Sequence, residues 1–449
     1  MLSREDNEIL TRVGPGTPMG DLLRRFWMPA LLESEVAEPD GVPVRLRLLG
    51  EDLVAFRDSA GRLGILDAYC PHRRVHLYFG RNEEGGLRCV YHGWKFDVAG
   101  QCVDMPCEGP ATAFAQKVRT GSYPTRIQGG VVWVYMGPPD RMGEPPAFEW
   151  SWLPSNQSAA IKRHQSCNWA QIVEGGLDPV HAQFLHSRLD GKKVNSSGKR
   201  VPILAGSSAP PAYEIRYGDY GFAVAARHEA NADAFLWRIS QFLIPFFSMF
   251  SSGFDGPDSR NEACLGHAWV PIDDEATWVW SFAAHHGRAL TAEEMKRYAS
   301  RDGTWGPVDA AYMPRLNRRN DYLLDRAAQR TQTYTGIEGT PNQDAAIQES
   351  MGPIVDRTRE RLGASDMPII AWRKLMLRLA ADLRAGIEPV AAARPAAYNV
   401  RSASLILRKA DSWVERSAAL TEGRAPKTRR EELNDNRRQG RPQTTRRMG

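Results

Sequence analysis

Cys70 and His72, followed by Cys89 and His92, form a C-x-H, sixteen-residue, C-x2-H pattern. Each half offers one thiolate and one imidazole from a tight loop, and strand-like segments flank both. Two sulfur and two nitrogen donors spaced in this way fit a [2Fe–2S] centre in which the two Cys hold one iron and the two His hold the other. Histidine is a neutral donor where thiolate is anionic, so such a cluster carries less negative charge and has a raised potential. It is suited to accepting electrons from a lower-potential reductase. A structural zinc site fits poorly, because its pairs are usually spaced C-x2-C to C-x4-C and H-x3-H or wider. Cys102 and Cys107 lie beyond the pattern and are read as small apolar packing residues.

A second group lies within nineteen residues: Asn168-Trp169-Ala170-Gln171, Glu174-Gly175, Asp178, His181 and His186. On a regular helix the two imidazoles would point about 140° apart, too far to share one ion comfortably. Pro179 and the pair Gly175-Gly176 predict that the helix breaks here, which would let the rings converge. Taken alone, two histidines at this spacing are surface or core residues more often than ligands.

The elements that must position these groups fall into three parts. Residues 1–150 hold a β-rich module, with short strand-like runs at Val44–Leu48, Asp52–Phe56, Leu63–Leu66 and Gly129–Met136 separated by turn residues, which predicts a small sandwich or barrel. Pro138-Pro139, Pro145-Pro146 and Pro154 suit neither helix nor central strand and mark the boundary. Residues 151–420 mix helix-like stretches (Asn168–Glu174, Ala292–Ser300, Asp321–Thr331, and much of Asp344–Leu383) with strand-like ones (Tyr213–Arg216, Phe222–Ala226, Cys264–Val270, Thr277–Ala283). An antiparallel sheet with helices to one side is the α+β class. No repeat and no glycine-rich phosphate loop is present.

The net charge of +5 belongs to residues 421–449, where nine basic and four acidic residues stand in a stretch nearly devoid of apolar side chains. The first 420 residues are neutral overall, which argues against a nucleic-acid-binding body. The tail reads as a solvated, disordered end. Six cysteines are too few and too scattered for a secreted disulfide framework. No apolar run reaches the ~18 residues of a membrane span, and the N-terminus lacks the apolar core of a signal peptide. A cytoplasmic protein without membrane association is expected.

Cys70-Pro71-His72-Arg73, Tyr78-Phe79-Gly80-Arg81-Asn82, Leu87 through Phe96, and Val103-Asp104-Met105-Pro106 resemble the Rieske domain of ring-hydroxylating oxygenases, specifically the phthalate 4,5-dioxygenase group. Asn168-Trp169-x-Gln171, Glu174-Gly175 and Asp178-x2-His181-x4-His186 resemble the mononuclear-iron motif of the same family. The resemblance spans about residues 1–385, includes Gly14 to Gly20, and fades in the last 60. One departure is Arg74-Val75-His76, where the family usually has small residues.

The resemblance implies an all-β Rieske domain followed by a helix-grip (START/Bet v1-like) catalytic domain. It further implies that His181, His186 and a later carboxylate form a facial triad on Fe(II), leaving the opposite face open for O2. That carboxylate is best placed at Asp344, in Asn342-Gln343-Asp344; Asp356 and Asp366 are weaker alternatives, and a helix N-terminal acid is the bland reading of Asp344. Asp178 would accept a hydrogen bond from His181 and from cluster ligand His92 of a neighbouring subunit, which implies a homotrimer or stacked trimers. Asn168 would stand beside the iron as a second-sphere group.

The function implied is the oxygenase component of an aromatic ring-hydroxylating dioxygenase. It would take electrons from an NAD(P)H-dependent flavin/iron–sulfur reductase and act with O2 on an aromatic carboxylate such as phthalate. Arg227 and Arg238 are the candidate carboxylate anchors, with ordinary surface or ion-paired arginines as the alternative. O-demethylation or monooxygenation of a methoxylated acid is the second chemistry. A Rieske electron carrier with a ligand-binding domain is the reading from another class.

Overall fold

The structure is a computed structural model that describes residues 1–108, 114–190, 211–251 and 257–424. Apart from its first four residues, the tail expected to be disordered lies outside the described residues.

The N-terminal module is all-β. One four-stranded antiparallel sheet runs Val44–Leu48, Glu51–Arg57, Leu63–Asp67, Ser122–Tyr123, and a second runs Arg81–Glu83, Gly86–Arg88, Lys95–Phe96, Cys102–Asp104. Between them Val54, Phe56, Leu66, Leu77, Leu87, Trp94 and Phe96 form a small core that also buries Cys70, Cys89 and Cys102. Cys102 therefore packs as expected, but Cys107 is exposed. A third sheet joins Trp27–Leu32 to Val131–Tyr135 and Thr125–Gln128.

The proline-rich stretch expected to mark the boundary is itself packed. It carries the short helix Glu149–Trp152, where Trp150 stacks on Phe282 at 4.0 Å between ring centroids. Trp133, Phe148 and Phe247 join them in one hydrophobic cluster shared by both halves of the chain. Apolar surface of this extent, removed from water on both sides of the boundary, ties the module to the larger C-terminal sheet.

The second part is an antiparallel sheet in the order Ser158–Gln165, Thr277–Ala284, Cys264–Pro271, Phe247–Ser251, Ala234–Leu243, Gly221–Asn231, Ala212–Gly218. An eighth strand, Ala403–Arg408, pairs with the first half of Ala234–Leu243. Helices Trp169–Leu177, Thr340–Ser350 and Met367–Arg384 lie on one face, where Trp372 meets Phe242 and Trp169. Helix Trp413–Thr421 covers part of the other, with Trp413 stacked on Trp237. None of the described helices is long and apolar enough to cross a membrane.

The structure refines the sequence-based reading in three places. Ser158–Gln165 does not read as a strand because Lys162, Arg163 and Gln165 are polar, yet all three are buried with partners of their own. Lys162 Nζ reaches Glu35, Arg163 donates to the Pro341 carbonyl at 2.7 Å, and Gln165 donates to Gln348 at 2.7 Å. Residues 344–383 are largely helical, as expected, but in two helices, the first closed just before Gly352, whose φ of +92° suits glycine. Within 321–331 the α-helix covers only Arg326–Thr331, because Asp321 and Tyr322 sit at φ +49° and +54° in a kinked turn.

Candidate metal centres

Two short loops present the candidate cluster residues. In the first, Cys70 N–H donates to Val75 O and Arg74 N–H returns to Cys70 O; in the second, Cys89 N–H donates to Trp94 O and Gly93 N–H returns to Cys89 O. Gly93 holds φ +76°, and a Cβ there would lie 2.7 Å from the Pro106 ring, so the second loop closes tightly only with glycine. The thiols of Cys70 and Cys89 are buried side by side, and burial pushes the Cys70 thiol up to about 11. The two imidazoles stand outward and partly exposed, with ring centroids 4.5 Å apart, and His72 stacks on Trp94 at 4.4 Å.

This donor set fits a [2Fe–2S] cluster. Two thiols inside an apolar shell become thiolates when metal binds them, and two neutral imidazoles face outward, where an electron can leave or enter. Around the loops, Arg74 adopts φ +60°, stacks over Tyr69 and reaches Asp67 at 3.4 Å. His76 Nδ1 accepts from Tyr78 N–H, so the departure Arg74-Val75-His76 is built into the loop's own hydrogen bonding.

The second group begins at a helix whose two ends do different work. Asn168 caps its start: Oδ1 accepts from Ala170 N–H, and Nδ2 donates to the carbonyls of Thr11 and Asp274. Asn168 is fully buried, and the nine-residue helix separates it by about 13 Å from Asp178. Its place is therefore as cap and tether, away from the histidines, contrary to the expected position beside the iron.

At the other end the helix stops at Leu177 and Asp178 leaves helical geometry at φ −88°, ψ 105°. Gly175 and Gly176 let this end sit close to its neighbours: a Cβ at Gly175 would fall 2.2 Å from Gln348 Nε2, and one at Gly176 2.3 Å from the Trp269 ring. Asp178 Oδ1 accepts from Val180 N–H at 2.8 Å and His181 N–H at 3.3 Å, starting a tight turn through His181–Gln183. That turn brings both rings to one point.

His181 Nε2 and His186 Nε2 lie 3.2 Å apart, and Asp344 Oδ1 is 3.5 and 3.3 Å from them. Three donors at right angles around one metal at bond lengths of ~2.1 Å are spaced by ~3 Å, so the set is close to a facial cap. Among the described residues this is the one group of three His, Cys or carboxylate donors so placed. Burial opposes the charge on Asp344, but the two histidines more than offset it and hold its carboxyl below its ordinary range. Asp356 instead caps a turn at Thr358, and Asp366 accepts from Gly363 N–H.

The Nδ1 atoms are engaged differently from expectation. His181 Nδ1 donates to the main-chain carbonyl of Asp178, while the Asp178 carboxylate Oδ2 is 3.8 Å away. His186 Nδ1 donates to Gln343 Oε1 at 2.7 Å.

The sheet face toward the helices carries a polar row on neighbouring strands, Ser281, His267 and Ser248 standing directly opposite one another. Burial pushes His267 down to about 4, so its ring is neutral. Nδ1 is tied to Ser281 Oγ and the Trp280 carbonyl, leaving Nε2 as an acceptor. Ser248 Oγ is buried and without a partner among the described residues. Lone polar residues within apolar strands gave no spacing signal from which to find this row.

Arg238 shares this face, four residues along the strand from Phe242, which pairs with Ser248. Burial pulls its pKa down, and none of the described carboxylates lies within ion-pair distance. Arg227 does not reach the site. It stands opposite Trp237 on the other side of the sheet, 4.6 Å over the Phe235 ring, because alternate residues of a strand face opposite ways.

Comparison with known proteins agrees with this arrangement. The family model for the Rieske [2Fe-2S] domain matches residues 26–123, and that for the LigXa C-terminal domain like family matches residues 134–437. The chain is 41% identical to the phthalate 4,5-dioxygenase oxygenase subunit of Pseudomonas putida, over 86% of this chain and 88% of that one. It is 38% identical to the 3-chlorobenzoate-3,4-dioxygenase oxygenase subunit of Comamonas testosteroni, over 84% and 88%. It is 34% identical to the 5,5'-dehydrodivanillate O-demethylase oxygenase subunit of a Sphingobium strain, over 89% and 85%. Dicamba monooxygenase bound to dicamba shares the fold, with a TM-score of 0.54 at 17% identity over 81% of this chain and 99% of that one. The chain thus belongs to the Rieske non-haem iron oxygenases, as an oxygenase (alpha) subunit whose cofactors are a Rieske [2Fe–2S] cluster and a mononuclear iron.

Proposed function

We propose that the chain is the oxygenase component of a system that hydroxylates an aromatic carboxylate of the phthalate type. In this reading Cys70 and Cys89 hold one cluster iron, His72 and His92 hold the other, and His181, His186 and Asp344 hold the mononuclear iron. When bound, that iron supplies the open positions at which O2 is activated with electrons delivered through the cluster. The division into residues 1–150, 151–420 and a basic tail places the cluster in the first part and the iron in the second.

The chain's own part is to hold and orient the substrate. Arg238, a desolvated guanidinium, pairs bidentately with the acid group. His267, neutral and fixed at Nδ1, accepts a hydrogen bond at Nε2 from a hydroxyl or protonated acid group of the ring. Phe250 and Trp305, whose rings lie 5.1 and 4.8 Å from that of His267, keep water from this side. The observation that carries the reading is that three converging donors and an arginine without a carboxylate partner among the described residues belong to the same side of one sheet.

Electrons come from an NAD(P)H-dependent flavin/iron–sulfur reductase. Asp178, partly exposed with Oδ2 unbonded among the described residues, bridges to the cluster of a neighbouring subunit in a trimer. The overall reaction takes one aromatic acid, O2, two electrons and two protons to a cis-dihydrodiol.

An anaerobic single turnover tests this: both metals are reduced chemically, phthalate is added, and labelled O2 is admitted. A diol carrying two labelled oxygens is expected. Unchanged phthalate from metal-loaded protein would overturn the phthalate-type substrate. The second reading, O-demethylation, is favoured by the likeness to the 5,5'-dehydrodivanillate O-demethylase subunit. It predicts formaldehyde and a phenol from a methoxylated acid under the same conditions.

A further inference from the structure

The two histidines of the iron site are held by unlike means. His181 gives its Nδ1 proton to a main-chain carbonyl three residues before it. His186 gives its Nδ1 proton across the fold to the side-chain oxygen of Gln343, which precedes Asp344 in the helix Thr340–Ser350. Gln343 is buried, and its Nε2–H donates to the Ile337 carbonyl at 2.8 Å. That second bond decides which end of the amide faces the ring. With the NH2 group committed to a carbonyl, the oxygen is left for His186, so His186 carries its proton on Nδ1 and presents a bare Nε2 lone pair toward Asp344.

We propose that Gln343 is a positioning residue for the mononuclear iron, selecting the tautomer of His186 and fixing its ring plane. This rests on the reading of His181, His186 and Asp344 as iron ligands. Because Gln343 and Asp344 are adjacent, one helical turn then places two of the three donors, and that turn is itself held by Arg163, which donates to the carbonyl of Pro341. Without the amide, the His186 N–H and the Ile337 carbonyl are both left unpaired inside the protein. The ring is free to turn, and the ordering it loses must be supplied when metal binds.

The test uses protein stripped of its mononuclear iron but retaining the cluster, titrated with Co2+. Gln343→Met, similar in length but without the amide, should bind Co2+ about 10- to 100-fold more weakly than wild type, the usual cost of losing an outer-sphere partner. Gln343→Asn, which withdraws the amide by one methylene, should show the same loss. In the Co2+-loaded wild type, the shifted N–H proton of His186 should be visible by NMR. It should vanish by solvent exchange in Gln343→Met while that of His181 persists.

His186→Ala separates the inference from the reading beneath it. If His186→Ala binds Co2+ as tightly as wild type, the ligand assignment fails. If His186→Ala weakens binding but Gln343→Met stays within twofold of wild type and keeps both N–H signals, the ligands stand and the role of Gln343 is overturned. The double variant should be no weaker than His186→Ala alone. A further loss equal to that of Gln343→Met by itself would mean that Gln343 acts through the fold and not through His186, and would also overturn the proposal.

Discussion

His181 and His186 are five residues apart, and their Nε2 atoms meet at 3.2 Å because Asp178 ends a helix and starts a turn between them. The residue types and the helix break beside Pro179 were legible in the sequence, whereas the paired glycines, read as part of that break, stay inside the helix and let it pack closely. Residues whose role depends on which way a side chain faces were not. Asn168 has the right neighbours in sequence but the wrong end of the helix, and Arg227 and Arg238 differ by strand parity. Arg238→Met should therefore lower kcat/KM for an aromatic acid by about 10- to 100-fold, the worth of a charged hydrogen bond of ~1.5–3 kcal/mol, while Arg227→Met stays within about twofold. Steady-state kinetics on the two variants checks this.

The same site predicts how iron affinity varies with pH. Burial resists a proton on His181, but Asp344 and Asp178 more than offset this, and its pKa is raised above the ordinary histidine value. With His181 as an iron ligand, as proposed, a proton on that ring competes with the metal. Affinity should fall as pH drops through the raised value, approaching about tenfold per pH unit below it, and Fe2+ titrations at several pH values would reveal the slope.

At the scale of elements, strands such as Val44–Leu48, with its apolar alternation, and Thr277–Ala284, with its mostly apolar run, were legible, and Ser158–Gln165 was hidden by polar residues whose partners lie far along the chain. Glu174 is the clearest long-range device. It binds Arg357 at 2.9 Å and Arg373 at 2.7 Å, joining the site helix to a later turn and to the helix Met367–Arg384. Burial alone would raise the Glu174 carboxyl, but these two arginines hold it below its ordinary value. Its folded pKa is depressed, so its contribution to stability is present above the unfolded value and is lost as pH falls through the folded one. Glu174→Gln should cost about 3 kcal/mol at neutral pH, because it leaves buried guanidinium groups short of charge. Urea unfolding at pH 7 and at acid pH should show the difference between variant and wild type shrinking on acidification.

Across the whole molecule the cluster loops sit on a small core of their own, while the core around Trp133, Phe148 and Trp150 joins the first part of the chain to the sheet that carries the iron site. That shared core was not legible, since the prolines around it marked only a boundary. If Asp178 carries the link between subunits, Asp178→Asn should leave cluster reduction intact and slow electron transfer to the iron by orders of magnitude in freeze-quench spectra; normal transfer would remove Asp178 from the path.

The most direct measurement tracks re-oxidation of the cluster by visible absorbance after O2 is mixed with fully reduced, phthalate-loaded protein, comparing wild type with Asp344→Ala. Fast, substrate-dependent re-oxidation with product is expected in the wild type. In Asp344→Ala the expectation is an intact cluster spectrum, loss of mononuclear iron, and slow re-oxidation without product. Equal rates and equal product in the two proteins would contradict oxygen activation at the His181, His186 and Asp344 site.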